Sequence, residues 1–301
     1  MPARSPDDAD SVRALVRGFE VLDCYAAARR PLGTNEVAEL TGIPKPTVSR
    51  LIATLAGLGH LRPAAQGTAY ELAAGVVRLA EAFLGAIDVR HHARPHVVQL
   101  AEECNASAFL GVRDADDMLV VEAGRSRSAV ALLGSDVGTR MSLYTSALGR
   151  AWLAGVDAPT RAAVLAHSRN GRSKAARALD AALAAAMRSG YAESIGEWHP
   201  NINAIAVPVR TPGGQVVSLN CGGPSFLMPQ QRLESFVLPR LLRAADALAR
   251  DVGGIAGAAL TTQQLPAVAP KQPSGAHRAT ARARSAAKSS SRKPPTLGAP
   301  A

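Results

Sequence analysis

The stretch TGIPKPTVSRLIATLAGLGHL, residues 41–61, sets two prolines at the head of an otherwise helical pattern. Val48, Leu51, Ile52, Leu55 and Leu58 recur at helical spacing and form one apolar stripe. The first N–H groups of a helix have no intrahelical acceptor, so Pro44 and Pro46 lose nothing in the first turn, where a preset φ is favourable. At about 100° per residue, Pro46, Ser49, Arg50 and Ala53 fall opposite the stripe, with Thr47 and Thr54 on one flank. That outward face offers short donors, a guanidinium fork and small surfaces. No acidic residue lies between Glu39 and Glu71.

Upstream, residues 11–30 place Val12, Leu15, Val16, Phe19 and Leu22 in one apolar stripe, with Ser11 as the expected N-cap and Pro31-Leu32-Gly33 as the stop. A second short helix, TNEVAELTG, has Thr34 or Asn35 as cap, Val37 and Leu40 turned inward and Gly42 at its C-terminal turn. Downstream, GHLRPAAQGTAYEL reads as a hairpin with strands at 60–62 and 68–72 and Gln66-Gly67 in the turn. A short helix, a glycine turn and a polar-faced second helix form the pattern of a helix-turn-helix. Its second helix enters the major groove by the N-terminal end, and the hairpin supplies a wing. Candidate DNA contacts are therefore Lys45, Pro46, Thr47, Ser49 and above all Arg50, with Arg62 in the wing. The competing reading is a three-helix packing unit, or a protein-binding winged helix, with a polar outer face.

A chain of 301 residues suggests about two domains, and 47% hydrophobic content supports real cores. Charged residues or glycine interrupt every apolar run before it could span a membrane, and the N-terminus lacks the apolar core of a signal peptide. Cys24, Cys104 and Cys221 are far apart and odd in number, which fits reduced thiols in a cytoplasm. The net charge of +10 is uneven: residues 255–301 carry seven Lys or Arg and no acid, leaving +3 for residues 1–254. This Ala-, Pro- and Ser-rich stretch is expected to be disordered, as are residues 1–10. It reads as a solubilising tail or as an arm that binds DNA phosphates without sequence preference.

In the second half, helices are expected at 73–92, 94–103, 146–155, 160–167 and 175–189. Strands are expected at 107–112, 117–123, 202–210 and 215–223. The order gives an α+β domain with a mainly antiparallel sheet. No GxSxG, HExxH or CxxC motif occurs, and GTRMSLYTSALG lacks the GK[ST] ending of a phosphate loop. Neither an enzyme nor a cofactor is expected, although an enzyme built on this domain and a tail-driven architectural DNA binder remain as rival classes. His92 and His96, with His91 beside them, stand at metal-ligand spacing, but a solvated face is the commoner use and no metal is expected. Cys221 reads as a small core residue.

On these blocks the sequence resembles the IclR-type bacterial transcriptional regulators. The resemblance rests on SVRALVRGFEVLD, EVAELTGIPKPTVSRLIATLAGLGHL and YELAAGVVRLAEAF at the front. In the second domain it rests on RPHVVQLAEECNASAFLGV, GSDVGTRMSLYTSALGRAWLA, RSGYAESIGEWHPNINAIAVPV and VVSLNCGGPSF. It implies a winged helix over 11–72, a linker helix over 73–92 and a GAF-like α/β effector-binding domain over 93–254. It further implies homodimers, or dimers of dimers, that bind double-stranded operators and answer to small organic acids or aromatic compounds. The implied effector pocket takes backbone N–H groups around Ala147 and Leu148, at a helix start that favours anions. Glu197, Trp198 and Asn203 from GEWHPNIN, and Pro208, Asn220 and Gly222 from the strands, complete it. Relatives that bind small 2-oxo acids have serines at two of these strand positions, so Asn220 and Gly222 imply a different, larger effector. Pro46 stands where many relatives have serine, which removes a hydroxyl donor from the reading face.

Overall fold

The computed structural model of the chain describes residues 12–65, 67–126, 136–167 and 174–262. The expectations for residues 1–10, for Ser11 as a cap, for Gln66 in the turn and for the tail from 263 onward lie outside them.

The front of the chain forms α1 (Arg13–Ala28), α2 (Thr34–Thr41), α3 (Lys45–Gly57), β1 (Leu61–Pro63) and β2 (Tyr70–Leu72). Val21, Tyr25, Leu32, Val37, Val48 and Ile52 close a small core between the helices and the hairpin. Gly42 ends α2 at φ +68°, a left-handed turn open to glycine at no steric cost. Pro44 is the N-cap of α3, and its carbonyl accepts the N–H groups of Thr47 and Val48 at 2.8 and 3.1 Å. Pro46 follows within the first turn, where its missing N–H has no partner to lose. β1 and β2 pair antiparallel, Leu61 opposite Leu72, and Leu32 bridges to Tyr70 as a third, one-residue strand.

Three local expectations are corrected here. The stripe of Val12, Leu15 and Phe19 on α1 is exposed, while Val21 and Tyr25 are buried. The helix has more apolar surface than α2 and α3 can cover, and the later turns win the contact. Leu40 and Leu58 are likewise exposed, beyond the reach of this core. Gly33, not Thr34 or Asn35, caps α2, its carbonyl accepting from Val37.

The linker is shorter than the expected 73–92. Helix α4 spans Gly75–Gly85, the helical run is interrupted at Ala86-Ile87, and α5 runs from Asp88 to Cys104 straight through Pro95. Proline deprives one carbonyl of its helical donor. Here that loss falls on an exposed turn, and Val89, Ala93, Val97, Leu100 and Cys104 hold the helix against the sheet.

The second domain has strands β3 (Ser107–Asp114), β4 (Asp117–Arg125), β5 (Arg140–Ser142), β6 (Ala192–Ile195), β7 (Ile202–Arg210), β8 (Val216–Pro224) and β9 (Ile255–Ala256). Their order is β5-β4-β3-β8-β7-β6, with β9 also on β7, and every pairing is antiparallel. Helices α6 (Ala147–Gly155), α7 (Ala158–His167) and α8 (Lys174–Ser189) precede β6. After β8 come α9 (Gln230–Arg232), a π-helical turn (Leu233–Val237), α10 (Leu238–Asp251) and, past β9, α11 (Ala258–Thr262). Side chains alternate across the strands. Leu110, Ile205, Val207, Leu219 and Cys221 join the core with α5 and α10. Phe109, Val216, Ala204 and Ala206 face the opposite layer, with α6.

Ordered structure continues past residue 254, contrary to the expected start of the tail. Ile255 and Ala256 pair with Arg210 and Val209, and Leu260 is buried. The run IAGAAL brings Ile255 and Leu260 close together in sequence, and the free edge of β7 gives its backbone partners.

Candidate functional site

Two surfaces concentrate the expected functional residues. On α3, Lys45, Pro46, Ser49 and Arg50 are exposed, with Thr47 half-buried at their edge, because Val48, Ile52 and Leu55 take the inward positions. Among the described residues neither Lys45 nor Arg50 enters an ion pair, so both cations are free for an external anion. Arg62 differs. Its Nε donates to Glu71 Oε1 at 2.9 Å across the β1–β2 pair, which offsets its charge within the wing.

The second surface is a small, partly open cavity of about 20 Å³ between the sheet and the start of α6. Ser146 caps α6: its Oγ accepts the Gly149 N–H at 3.0 Å and donates to the Ser142 carbonyl at 2.6 Å. Gly149 has to lack a side chain, since a Cβ there would lie 2.3 Å from the Leu143 carbonyl oxygen. This tight seat fixes the N-terminus of α6, whose first N–H groups, those of Ala147 and Leu148, have no intrahelical acceptor. Ala147, Trp198, Asn220 and Gly222 line the cavity. Phe109, Met141 and Ile202 add apolar wall, and Ser194 hangs over it, its Oγ donating to the Thr145 carbonyl and accepting the Trp198 N–H.

The other expected pocket residues sit elsewhere. The Leu148 side chain is fully buried in the α6 core, leaving only its backbone near the site. Asn203 donates through Nδ2 to the Met228 carbonyl at 2.9 Å. Pro208 packs under the far end of α6, where a Cβ on Gly155 would meet it at 2.6 Å. Glu197 turns to Arg150, which is only 5% exposed and grips both carboxylate oxygens, Nη2 at 2.8 Å from Oε1. The same guanidinium donates to the carbonyls of Tyr144 and Glu193. Hydrogen bonds from Arg150 hold the Glu197 carboxyl below the ordinary carboxylate range. Glu197 is thus the anchor of the 196–203 loop and not part of the cavity wall.

Sequence reasoning missed Phe109, Met141, Ser146, Ser194, Ile202 and Ala204. Strand register is the signal that finds two of them: Phe109 lies opposite Asn220, and Ala204 opposite Gly222. Ser146 was legible as the residue before the helix in TSALG. The histidine group dissolves: His91 and His92 are exposed, and His96 Nε2 sits 2.6 Å from Asp251 Oδ2, tying α5 to α10. No cluster of three metal-ligating side chains occurs among the described residues. Cys221 is buried in the core with Cys104. No helix among the described residues is long and apolar enough to cross a membrane.

A winged helix with a free cationic reading helix, followed by an α+β domain with a small cavity, defines a DNA-binding regulator with a ligand domain. The family comparisons make this specific. The IclR helix-turn-helix domain matches residues 14–64, and the bacterial transcriptional regulator IclR C-terminal domain matches residues 81–253. The chain belongs to the IclR family of bacterial transcriptional regulators. It is 29% identical over 236 residues to the HTH-type transcriptional regulator TsaQ1/TsaQ2 of Comamonas testosteroni, covering 76% of this chain and 84% of that protein. It is 26% identical over 256 residues to the Pca regulon regulatory protein of Pseudomonas putida, covering 82% and 86%. Among solved structures, an IclR family transcriptional regulator from Brucella abortus superposes with a TM-score of 0.65 at 35% identity, covering 84% of this chain and 97% of that one. An IclR homologue from Microbacterium hydrocarbonoxydans, complexed with 4-hydroxybenzoate, shares the fold at TM-score 0.66 and 24% identity, over 80% and 99%. This protein is a transcriptional regulator.

Proposed function

We propose that this regulator controls a catabolic operon in the cytoplasm and that its effector is a small organic acid, most simply an aromatic carboxylate, held in the cavity under α6. The observation that carries this is the composition of that cavity. Its walls are Phe109, Met141, Trp198 and Ile202, its polar end is the N-terminus of α6, and no cationic side chain lines it. Apolar walls suit a ring, and free N–H groups at a helix start suit one carboxylate. The relatives' names support the reading: one governs the Pca regulon, and one homologue was crystallised with 4-hydroxybenzoate.

Lys45, Pro46, Thr47, Ser49 and Arg50 contact the operator, with Arg62 in a lesser role because Glu71 already holds it. The exposed apolar residues Val12, Leu15 and Phe19 on α1 and Val77, Leu79 and Phe83 on α4 belong to a homodimer contact, alone or within a dimer of dimers. Two winged helices then meet two half-sites, and effector acts by favouring one presentation of the pair over another.

A thermal-shift screen of benzoates and short aliphatic acids on the full chain tests the effector class. Binding stabilises the fold by mass action, so an aromatic acid should raise Tm in proportion to the logarithm of its concentration. A shift from aliphatic acids alone would overturn the aromatic reading. No shift from either series would remove the cavity as an acid site.

A further inference from the structure

We infer that Asn220 is a one-way hydrogen-bond donor that selects effectors carrying a second acceptor group, such as a carbonyl, ether or ionised phenol oxygen. The inference rests on the proposed aromatic-acid reading of the cavity and adds what else the ligand has to carry.

Asn220 lies on β8, paired with Phe109 of β3 on one side and Ala206 of β7 on the other, and is 4% exposed. Its Oδ1 accepts the backbone N–H of Phe109 at 3.0 Å. A backbone N–H can only donate, so this contact fixes which end of the amide is oxygen. Flipping the amide would set two donors against each other in a buried site and leave the Phe109 N–H unsatisfied. Nδ2 therefore points away from β3. It makes no hydrogen bond among the described residues, and it is not one of the sealed side-chain atoms that lack a partner. Asn220 lines the cavity, so the free hydrogens of Nδ2 are offered to whatever occupies it.

The neighbouring polar groups cannot take over this role. Ser146 and Ser194 have each given their one hydroxyl proton to a backbone carbonyl, of Ser142 and Thr145 respectively. Each can offer a ligand only a lone pair. Arg150, the buried guanidinium nearby, is engaged by Tyr144, Glu193 and Glu197. The helix N–H groups of α6 are needed for the carboxylate. Gly222, the other strand position, cannot supply a serine donor, because a Cβ there would come within 2.5 Å of the Asn203 carbonyl oxygen and 2.6 Å of Ala204 Cβ. The indole N–H of Trp198 is the one other side-chain donor on the lining, and it belongs to the loop side of the cavity.

An isosteric ligand pair tests the inference on the wild-type protein. Acetylbenzoate and isopropenylbenzoate differ by a carbonyl oxygen against a methylene, and both are measured by calorimetry as meta and para isomers. In one ring position the acetyl compound should bind roughly tenfold or more tighter, the scale of one buried hydrogen bond. Asn220→Asp keeps an acceptor for the Phe109 N–H but turns the cavity-facing donor into an acceptor, so it should abolish or reverse the preference. Trp198→Phe should keep it. Equal binding of both isosteres at both ring positions overturns the inference without help from any variant. So does an unchanged preference in N220D, and so does its loss in W198F, which would name the indole as the donor. If none of these compounds or benzoate binds, the aromatic-acid reading itself has failed and the role of Asn220 falls with it.

Discussion

The reading face of α3 and the wall of the cavity treat their polar groups in opposite ways. On α3 the cations Lys45 and Arg50 stand in solvent without partners among the described residues, while beneath α6 the hydroxyls of Ser146 and Ser194 and the guanidinium of Arg150 are committed to backbone or carboxylate. Water makes the difference. An exposed guanidinium keeps its hydration until a phosphate or base edge replaces it, so leaving it free costs nothing. A buried polar group without a partner costs about 1–3 kcal/mol, so most of the cavity wall is satisfied before any ligand arrives, and only the first N–H groups of α6 and a few side-chain donors such as Asn220 Nδ2 are left open toward the cavity. DNA contact can thus be altered one side chain at a time, whereas the cavity changes as a unit. Its roughly 20 Å³ admits about one water, so an effector has to displace the wall or the 196–203 loop.

The sharpest break in this contrast would come from Arg50→Ala. Operator affinity should fall tenfold or more, about 1–3 kcal/mol, in fluorescence anisotropy at fixed salt, while Tm stays within the error of the wild type. Full affinity in the variant would remove Arg50 from the interface. On the cavity side, Gly222→Ser should lower stability by about 1–3 kcal/mol in urea unfolding, because the new Cβ forces β7 and β8 apart. A variant as stable as the wild type would show that the wall yields more readily than its packing implies.

Glu197→Gln probes the anchored loop. The Glu197 side chain is 42% exposed, so solvent screening limits the loss to about 1 kcal/mol despite the buried Arg150. The pH dependence has a definite sign. Arg150 depresses the folded-state pKa of Glu197 from its ordinary value of 4.5, so its contribution is complete above that value and disappears as pH falls through the lower, folded one. The wild type should therefore lose stability over that acid window more steeply than E197Q. Parallel curves would mean that the ion pair adds nothing to the fold.

The reading helix was legible because its evidence is local: proline positions, one apolar stripe and a missing acid all lie within residues 41–61. The strands were legible for the same reason, since β3, β4, β7 and β8 are long apolar runs. The cavity was only partly so. Asn220 and Gly222 carried family resemblance, but Phe109 and Ala204 reach the site through strand register, which connects residues about 110 and 20 positions apart and leaves no periodic trace. Glu197 was misread for a related reason. A carboxylate in a loop looks like a ligand contact until the buried Arg150, 47 residues earlier, is seen to claim it. On α1 the apolar pattern is legible as a stripe, but a pattern shows that Val12, Leu15 and Phe19 share a face and not what covers them.

Pro46→Ser should have the smallest effect on the fold and the most informative one on the interface. Residue 46 is exposed in the first turn of α3, where no intrahelical N–H bond exists to be gained, so stability should move by no more than about 0.5 kcal/mol. On DNA the two side chains read different things. The proline ring offers apolar contact to a thymine methyl, and a serine hydroxyl offers a hydrogen bond to a base edge or phosphate. Selection from randomised operators should therefore give the two proteins different preferences at one or two positions per half-site, with overall affinities within about tenfold. Identical preferences would return Pro46 to a purely structural role at the head of α3. The free face of the helix would then read sequence through Lys45, Thr47, Ser49 and Arg50.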